Sequence, residues 1–327
     1  MKLIIPVAGK GTRLYPHTLV TPKPLLNVAG KPIIHHVIDR FSNLDIDEII
    51  LVIAPGGESI VDYVGGKFKN YKISIAYQDE PLGLGHAVYQ GVKNAENSPA
   101  MVVLGDTIFE ADIKRYVESS SDFVIVKDVA NPKAFGVVEV ADGKIVGMEE
   151  KPDMPQSNLA IIGVYFFSEL DPLRKALEHI IENGIKTRGE YQLTDALKKM
   201  LENGWRPKPV MADLWLDCGR HDSLLEANRI LLRKSVKKVG VELLGTSVVI
   251  HPVHIGSGAV LENSVIGPYV SIGDGSKIEN SVVSNSIVNA DVEIYNAVVS
   301  NSIISGQARL EGKPMELQLG GFSMVKV

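Results

Sequence analysis

A glycine-rich connection carrying two cations is the first chemical signal in this sequence. The apolar run Leu3–Val7 leads straight into Ala8-Gly9-Lys10-Gly11-Thr12-Arg13-Leu14-Tyr15-Pro16, and Thr21-Pro22-Lys23-Pro24 follows on the same connection. A turn of this kind after a buried strand lets backbone N–H groups, here those of Ala8, Gly9, Gly11 and Thr12, close on phosphate oxygens. The planar fork of Arg13 adds further donors. Arg13 and Lys23 held at one turn repel by several kcal/mol at an effective dielectric of about 20, unless an anion sits between them. A dinucleotide-binding turn is excluded because Leu14 stands where its third glycine belongs, and a P-loop because Gly-Lys-Ser/Thr is missing. Taken alone, the two glycines also fit an ordinary strand-to-helix turn.

The second signal is a pair of carboxylates. Asp106 follows the apolar run Ala100–Leu104, which puts it at the carboxyl end of a strand, where open α/β sheets bind ligands. Asp217 interrupts the otherwise apolar Trp215-Leu216-Asp217-Cys218-Gly219. Magnesium favours one or two carboxylates completed by phosphate oxygens and water. Each aspartate by itself also fits a turn cap, as Gly105-Asp106-Thr107 would permit. Gln78 offers both a donor and an acceptor, which suits the edge of uracil or thymine, and Gly83, Leu84 and Gly85 open a helix close behind it.

Strands and helices must bring these residues together. Leu3–Val7, Glu48–Ala54, Ile73–Tyr77, Ala100–Leu104, Phe123–Lys127, Gly136–Val140 and Ala160–Phe167 read as strands, being short and rich in Val and Ile. Pro32–Leu44, Leu84–Glu96, Asp171–Asn183, Gln192–Asn203 and Ser223–Leu232 read as helices. The alternation predicts a Rossmann-like, mostly parallel sheet with helices on both faces. A hairpin turning at Asp142-Gly143 makes the sheet mixed.

Beyond the basic stretch Arg233–Lys238 the pattern changes. Glu279-Asn-Ser-Val-Val-Ser-Asn-Ser-Ile-Val aligns without a gap on Tyr295-Asn-Ala-Val-Val-Ser-Asn-Ser-Ile-Ile, and Glu262-Asn-Ser-Val-Ile-Gly and Gly245-Thr-Ser-Val-Val-Ile begin two earlier turns. Aliphatic or small residues recur every five or six positions, at Val253, Ala259, Val265, Val270, Ser276, Val282, Ile287, Val292, Val298, Ile303 and Ala308. This spacing suits a triangular coil with one such residue pointing inward from each side, whose turns bury their apolar side only by stacking; an all-β sandwich is the alternative, and the near-identical adjacent repeats count against it. It resembles the left-handed parallel β-helix of hexapeptide-repeat proteins, with about four coils. The expected organisation is a catalytic domain over 1–232, a linker over 233–244, and the β-helix with a C-terminal tail over 245–327.

A net charge of −5 speaks against a nucleic-acid binder, and no apolar run approaches the ~20 residues that cross a bilayer. A single cysteine, Cys218, rules out an internal disulfide and a cysteine-built zinc site. The first apolar stretch is too short for a signal peptide. A cytoplasmic protein without nucleic-acid or membrane partners is expected.

The loop motif does not stand alone. With Tyr77-Gln-Asp-Glu-Pro-Leu-Gly-Leu-Gly-His-Ala, Leu104-Gly-Asp106, Phe135-Gly-Val-Val-Glu, Glu149-Glu-Lys-Pro152, Gly163-Val-Tyr165, Gly189-Glu-Tyr-Gln-Leu-Thr-Asp195 and Trp215-Leu-Asp-Cys-Gly219, it forms an ordered series. That series is similar to the sugar-1-phosphate nucleotidylyltransferases and covers the whole first domain. One departure is Ala8, where many relatives carry a further glycine.

The resemblance implies condensation of a nucleoside triphosphate with a sugar 1-phosphate, releasing pyrophosphate. It implies Arg13 on the leaving phosphates, Lys23 at the α-phosphate, and Mg2+ on Asp106 and Asp217. Lys151 would hold the sugar phosphate and Glu150 the sugar hydroxyls, although Glu-Glu-Lys-Pro is by itself an ordinary charged turn. Gly136 would let the sugar approach backbone, with Ile161 and Tyr165 as walls. A glutamine at Gln78 goes with pyrimidines in relatives, so dTTP or UTP is expected, with glucose 1-phosphate as the family default. Two alternatives stay open: a non-catalytic regulatory or scaffold subunit of the same fold, and an added acyltransferase activity using His251 or His254. The β-helix is expected to make the protein a homo-oligomer.

Overall fold

The computed structural model describes residues 1–235 and 240–313. The expected tail from 314 onward, and 236–239 of the expected linker, lie outside the described residues. Two compact units are built: Met1–Leu26 with Lys31–Ser223, and Asn27–Gly30 with the chain from Leu224. Within the expected linker, helix structure persists through Ser235 and Val241–Leu244 form a strand.

In the first unit the strands run in the order Lys144–Glu150, Gly136–Ala141, Leu159–Phe167, Ala100–Val103, Lys2–Pro6, Glu48–Ile53, Lys72–Tyr77. Lys2–Pro6 is parallel to both neighbours, whereas Leu159–Phe167 is antiparallel to all of its partners, so the sheet is mixed as expected. The central strands are continuous apolar runs because both of their faces are covered. The helices are α1 (Ile33–Asp39), α2 (Glu58–Lys67), α3 (Leu84–Val92), α4 (Lys114–Glu118), α5 (Asp171–Glu182) and α6 (Leu193–Glu202), and α7 (His221–Ser235) belongs from Leu224 onward to the second unit. On one face α3, α5 and α6 set Val88, Leu173, Leu177 and Leu197 against Ile4, Val102 and Phe167. At the hairpin, Asp142 and Gly143 both have positive φ, the geometry of a type I′ turn.

The structure departs from the expected elements in several places, among them the helix expected over Leu84–Glu96, which ends at Val92. The first helix ends at Asp39, not Leu44, because Phe41, Ser42 and Leu44 N–H groups bond three residues back, in tightened turns. Helix α2 was not anticipated, since Gly65-Gly66 interrupts its pattern. Nor was the two-stranded ribbon of Thr107–Glu110 and Leu214–Asp217, whose antiparallel pairing sets Asp217 opposite Thr107.

In the second unit the repeat forms three sheets of stacked parallel strands, the three sides of a β-helix. Val248, Val265, Val282 and Val298 occupy one register, as do Ile278, Ile294 and Leu310 on another side. An asparagine followed by serine makes the corner, with alanine in the serine's place after Asn296: Asn263, Asn280 and Asn296 have positive φ, which asparagine tolerates. The following serine turns inward and accepts the N–H of the next coil, as in Ser264 N to Ser247 Oγ and Ser281 N to Ser264 Oγ, both 3.1 Å. Alternation then sends the next residue outward and the one after it inward. So Val282 and Val298, expected inside, are 40% and 84% exposed, and Val249, Ile266, Val283 and Val299 fill the core.

Asn228 ties this unit together. Its Oδ1 accepts from Ala29 N (2.9 Å) and Ser271 Oγ (2.6 Å), and its Nδ2 donates to the Tyr269 carbonyl (3.2 Å), with Asn228 and Ser271 themselves buried. Asn228→Ala strands three polar groups and is expected to cost about 3 kcal/mol, read as a lower denaturation midpoint. Among the described residues no helix is long and apolar enough to cross a membrane.

Candidate active site

Ala8, Gly9, Gly11, Thr12, Arg13, Lys23, Gln78, Gly83 and Asp106 all line one cleft of 510 Å³ in the first unit. Gly11 has φ +63, and a Cβ there would lie 3.1 Å from both Lys23 Cβ and Thr18 Cγ2. Thr18 Oγ1 donates to the Gly11 carbonyl at 2.8 Å. The loop is thereby folded onto itself, with buried Leu14 and Pro24 as anchors, and Arg13 and Lys23 stand together at one wall. A Cβ on Gly9 would meet nothing within 4 Å, so this stretch of backbone faces open space.

Lys23 Nζ donates to Asp106 Oδ2. Asp106 sits in the turn closed by Thr107 N to the Leu104 carbonyl (3.2 Å), and Cys218 N bonds to the Asp106 carbonyl at 3.1 Å. That bond and the Thr107–Asp217 pairing bring the two aspartates to the same end of the ribbon. Gly219 packs so closely that a Cβ would lie 2.8 Å from Asp217 Oδ1. Burial pushes the Asp217 carboxyl upward and the Asp106 charge adds to it, with Lys23, Arg13 and the Gly219 N–H pulling the other way. Two acids crowded in this manner relax when a cation joins them.

Gln78 is buried, and its Nε2 reaches the Gly83 carbonyl (3.0 Å) and His86 Nδ1 (3.1 Å). His86 Nε2 lies 2.9 Å from Gln90 Nε2, and burial, more than the Lys93 charge, lowers its pKa. This histidine orients Gln78, a role without any spacing signal in the sequence. Gly83 has φ +111, and the loop is pinned by Tyr191 N to the Leu82 carbonyl (2.9 Å) and Gly85 N to the Tyr191 carbonyl (2.8 Å).

A second cluster gathers around Gly136. A Cβ there would lie 3.0 Å from Glu150 Oε2, 3.3 Å from Ile161 Cδ1 and 3.4 Å from Thr194 Oγ1. Glu150 Oε2 accepts from Thr194 Oγ1 at 2.7 Å, and Oε1 is 3.3 Å from Lys151 Nζ. Thr194 was not foreseen; only its place in the Gly189–Asp195 motif hinted at it. Lys151 has φ +45, unusual for a side chain of its size, and Arg188 Nη2 holds its carbonyl at 2.8 Å. Strain of this kind collects at functional positions. Tyr165 belongs to the core cluster, and burial, then the Glu150 charge, raises its hydroxyl pKa. A larger cavity of 730 Å³, between α5 and α6, is lined by none of the expected residues.

Residues 2–234 match the nucleotidyl transferase family. The chain belongs to that family. This nucleotidyl transferase is 39% identical over 267 residues to the bifunctional protein GlmU of Methanococcus maripaludis, covering 80% of this chain and 62% of the relative. It is 31% identical over 279 residues to a glucose-1-phosphate thymidylyltransferase of Streptomyces antibioticus, covering 82% and 77%. It also superposes on the structure of a UDP-glucose pyrophosphorylase complexed with UDP-glucose, with TM-score 0.62 and 26% identity over 71% of this chain and 98% of that one. The nucleotidyl transferase spans about three fifths of the length of the GlmU relatives it matches.

Proposed function

We propose that this nucleotidyl transferase joins dTTP or UTP to a hexose 1-phosphate, glucose 1-phosphate by default, giving the nucleotide sugar and pyrophosphate. The observation that carries it is the convergence of Arg13, Lys23 and Asp106 on one cleft that Gln78 also lines, with Asp217 close enough to feel the charges of all three. An oxygen of the sugar phosphate attacks the α-phosphorus, a new P–O bond forms, and the bond to the β-phosphate oxygen breaks. The nucleophile is already an anion, so no general base is required. Catalysis is then positioning plus charge neutralisation. Arg13 and the backbone of Ala8, Gly9, Gly11 and Thr12 hold the leaving phosphates, Lys23 the α-phosphate, and Lys151 the sugar phosphate. Glu150, fixed by Thr194, orients the sugar over Gly136, with Ile161 as a wall and Tyr165 as packing behind it.

The crowded acids Asp106 and Asp217 fit magnesium, a hard ion satisfied by two carboxylates plus phosphate oxygens and water. When bound there, it would offset the charge of the reacting phosphates. The test is pyrophosphate release from dTTP, UTP, CTP and ATP, each against a panel of hexose 1-phosphates. Release with dTTP or UTP and glucose 1-phosphate supports the reading; release with no pair would leave the scaffold alternative.

An added acyl transfer in the β-helix would have to draw its base from His254 or His251. His254 packs on Gly30, where a Cβ would lie 2.4 Å from the ring, and His251 Nε2 is held by Glu242 Oε2 at 2.9 Å. Self-association is supported by an outward apolar row, Leu243, Val248, Val265, Val282 and Val298, in which Leu243 is 77% exposed. Monomers seldom leave so continuous a row uncovered. Val282→Lys with Val298→Lys is expected to convert an oligomer to monomer in sedimentation at micromolar concentration; a monomeric wild type would contradict it.

A further inference from the structure

Lys23 occupies the very carboxylate that the proposed function gives to the metal. Its ammonium donates to Asp106 Oδ2, and the side chain is mostly buried. A carboxylate oxygen in close contact with an ammonium cannot also take a dication without forcing two positive centres together, a repulsion that grows in a partly desolvated cleft. One of the two has to leave.

The surroundings show which one can move. Pro22 and Pro24 flank Lys23 and fix its backbone, and Gly11 packs on its Cβ, so only the long flexible stem is free to swing. The same loop carries the backbone of Ala8, Gly9, Gly11 and Thr12, which lines the cleft that the proposed function gives to the nucleotide. The other groups around the carboxylates are Arg13, Cys218 and Asp217 itself, and Asp217 is packed against Gly219.

We propose that Lys23 is a place-holding cation. Before substrate arrives it neutralises Asp106 and keeps the carboxylate pair from repelling, and it excludes a metal from the vacant cleft. An incoming α-phosphate draws the ammonium off Asp106, and that oxygen then becomes available to the metal. Nucleotide and metal therefore bind cooperatively, each raising the other's affinity by the same factor. The enzyme would load metal only where there is a nucleotide to react. This inference rests on the proposed function, because it takes Asp106 and Asp217 as the metal pair.

The test uses Mn2+ alone, titrated into the full chain without nucleotide and followed by the electron paramagnetic resonance of the free ion. Lys23→Met, which keeps the stem and removes the charge, is expected to bind Mn2+ at least ~10-fold more tightly than wild type, the difference between an occupied and a vacated carboxylate. Arg13→Met removes a cation that does not contact Asp106 and is expected to change affinity by less than ~3-fold. Lys23→Gln repeats the measurement with a neutral hydrogen-bonding group, should Lys23→Met fold poorly by circular dichroism. Equal or weaker Mn2+ binding in a folded Lys23 variant overturns the proposal. Adding Asp106→Asn or Asp217→Asn to Lys23→Met separates the two levels. If those changes remove the binding but Lys23→Met had not strengthened it, the place-holder falls and the metal pair stands. If they leave the binding untouched, the carboxylate assignment fails and the inference falls with it.

Discussion

Asp217→Asn is expected to lower kcat by about 10³-fold or more, and in the absence of metal to melt at a higher temperature than wild type. The catalytic loss follows from removing one of two carboxylates that gather positive charge at the reacting phosphates; single electrostatic contacts of this kind are commonly worth 10²–10³ in rate, roughly, and a metal ligand more. The gain in stability has a different origin. Burial, and then the Asp106 charge, push the Asp217 carboxyl upward, so the fold disfavours its ionised form. For an acid raised in this way, stability is fully present below the unfolded-state pKa and is lost as pH rises through the folded-state pKa. Asparagine does not ionise and escapes that loss. Melts in a chelator should therefore show wild type and variant converging at low pH and separating as pH rises towards neutral. Asp106→Asn is expected to lose a similar factor in kcat without the stability gain, because the partly buried Lys23 ammonium then loses the negative charge it pairs with. A variant within tenfold of wild-type kcat would remove that aspartate from the site.

Gly83→Ala is expected to cost about 2–4 kcal/mol and to raise KM for the nucleotide. The backbone there sits at φ +111, which a side chain rarely adopts, and the new methyl would lie 2.6 Å from the Tyr191 carbonyl and 2.8 Å from Glu190 Cβ. Neither neighbour can yield easily, because Tyr191 N and O both bond into the loop at Leu82 and Gly85. The Gly83 carbonyl also holds Gln78, so displacement of the loop should disturb the base end of the cleft before the phosphate end. Denaturant midpoints and steady-state KM values check both parts. A neutral effect on stability would mean that the loop relaxes freely.

The sheet was legible because its central strands are buried on both faces and so read as unbroken runs such as Ala100–Val103. The β-helix was legible because near-identical corners recur, with asparagine at the positive φ and serine bonding to the next coil. Which of two adjacent valines faced inward was not, since Val282 and Val283 are chemically alike and only the inward serine before them fixes the phase. The cleft-lining residues from Ala8 to Arg13, and Lys23, lie on one connection and could be found by spacing. Thr194 and His86 act through single side-chain bonds to Glu150 and Gln78, distant or unpatterned in sequence, and nothing but the fold brings Thr194 to Glu150. Lys10 lines the cleft beside Arg13, yet the structure gives it no contact that assigns it a part.

A crystal grown with Mn2+ and dTTP or UTP, with the metal located from its anomalous scattering, tests the central claim most directly. The result expected is one strong peak between the Asp106 and Asp217 carboxylates, touching a nucleotide phosphate oxygen, with Lys23 withdrawn from Asp106. A peak elsewhere on the nucleotide, with both aspartates turned from the phosphates, would contradict the carboxylate pair and the mechanism built upon it.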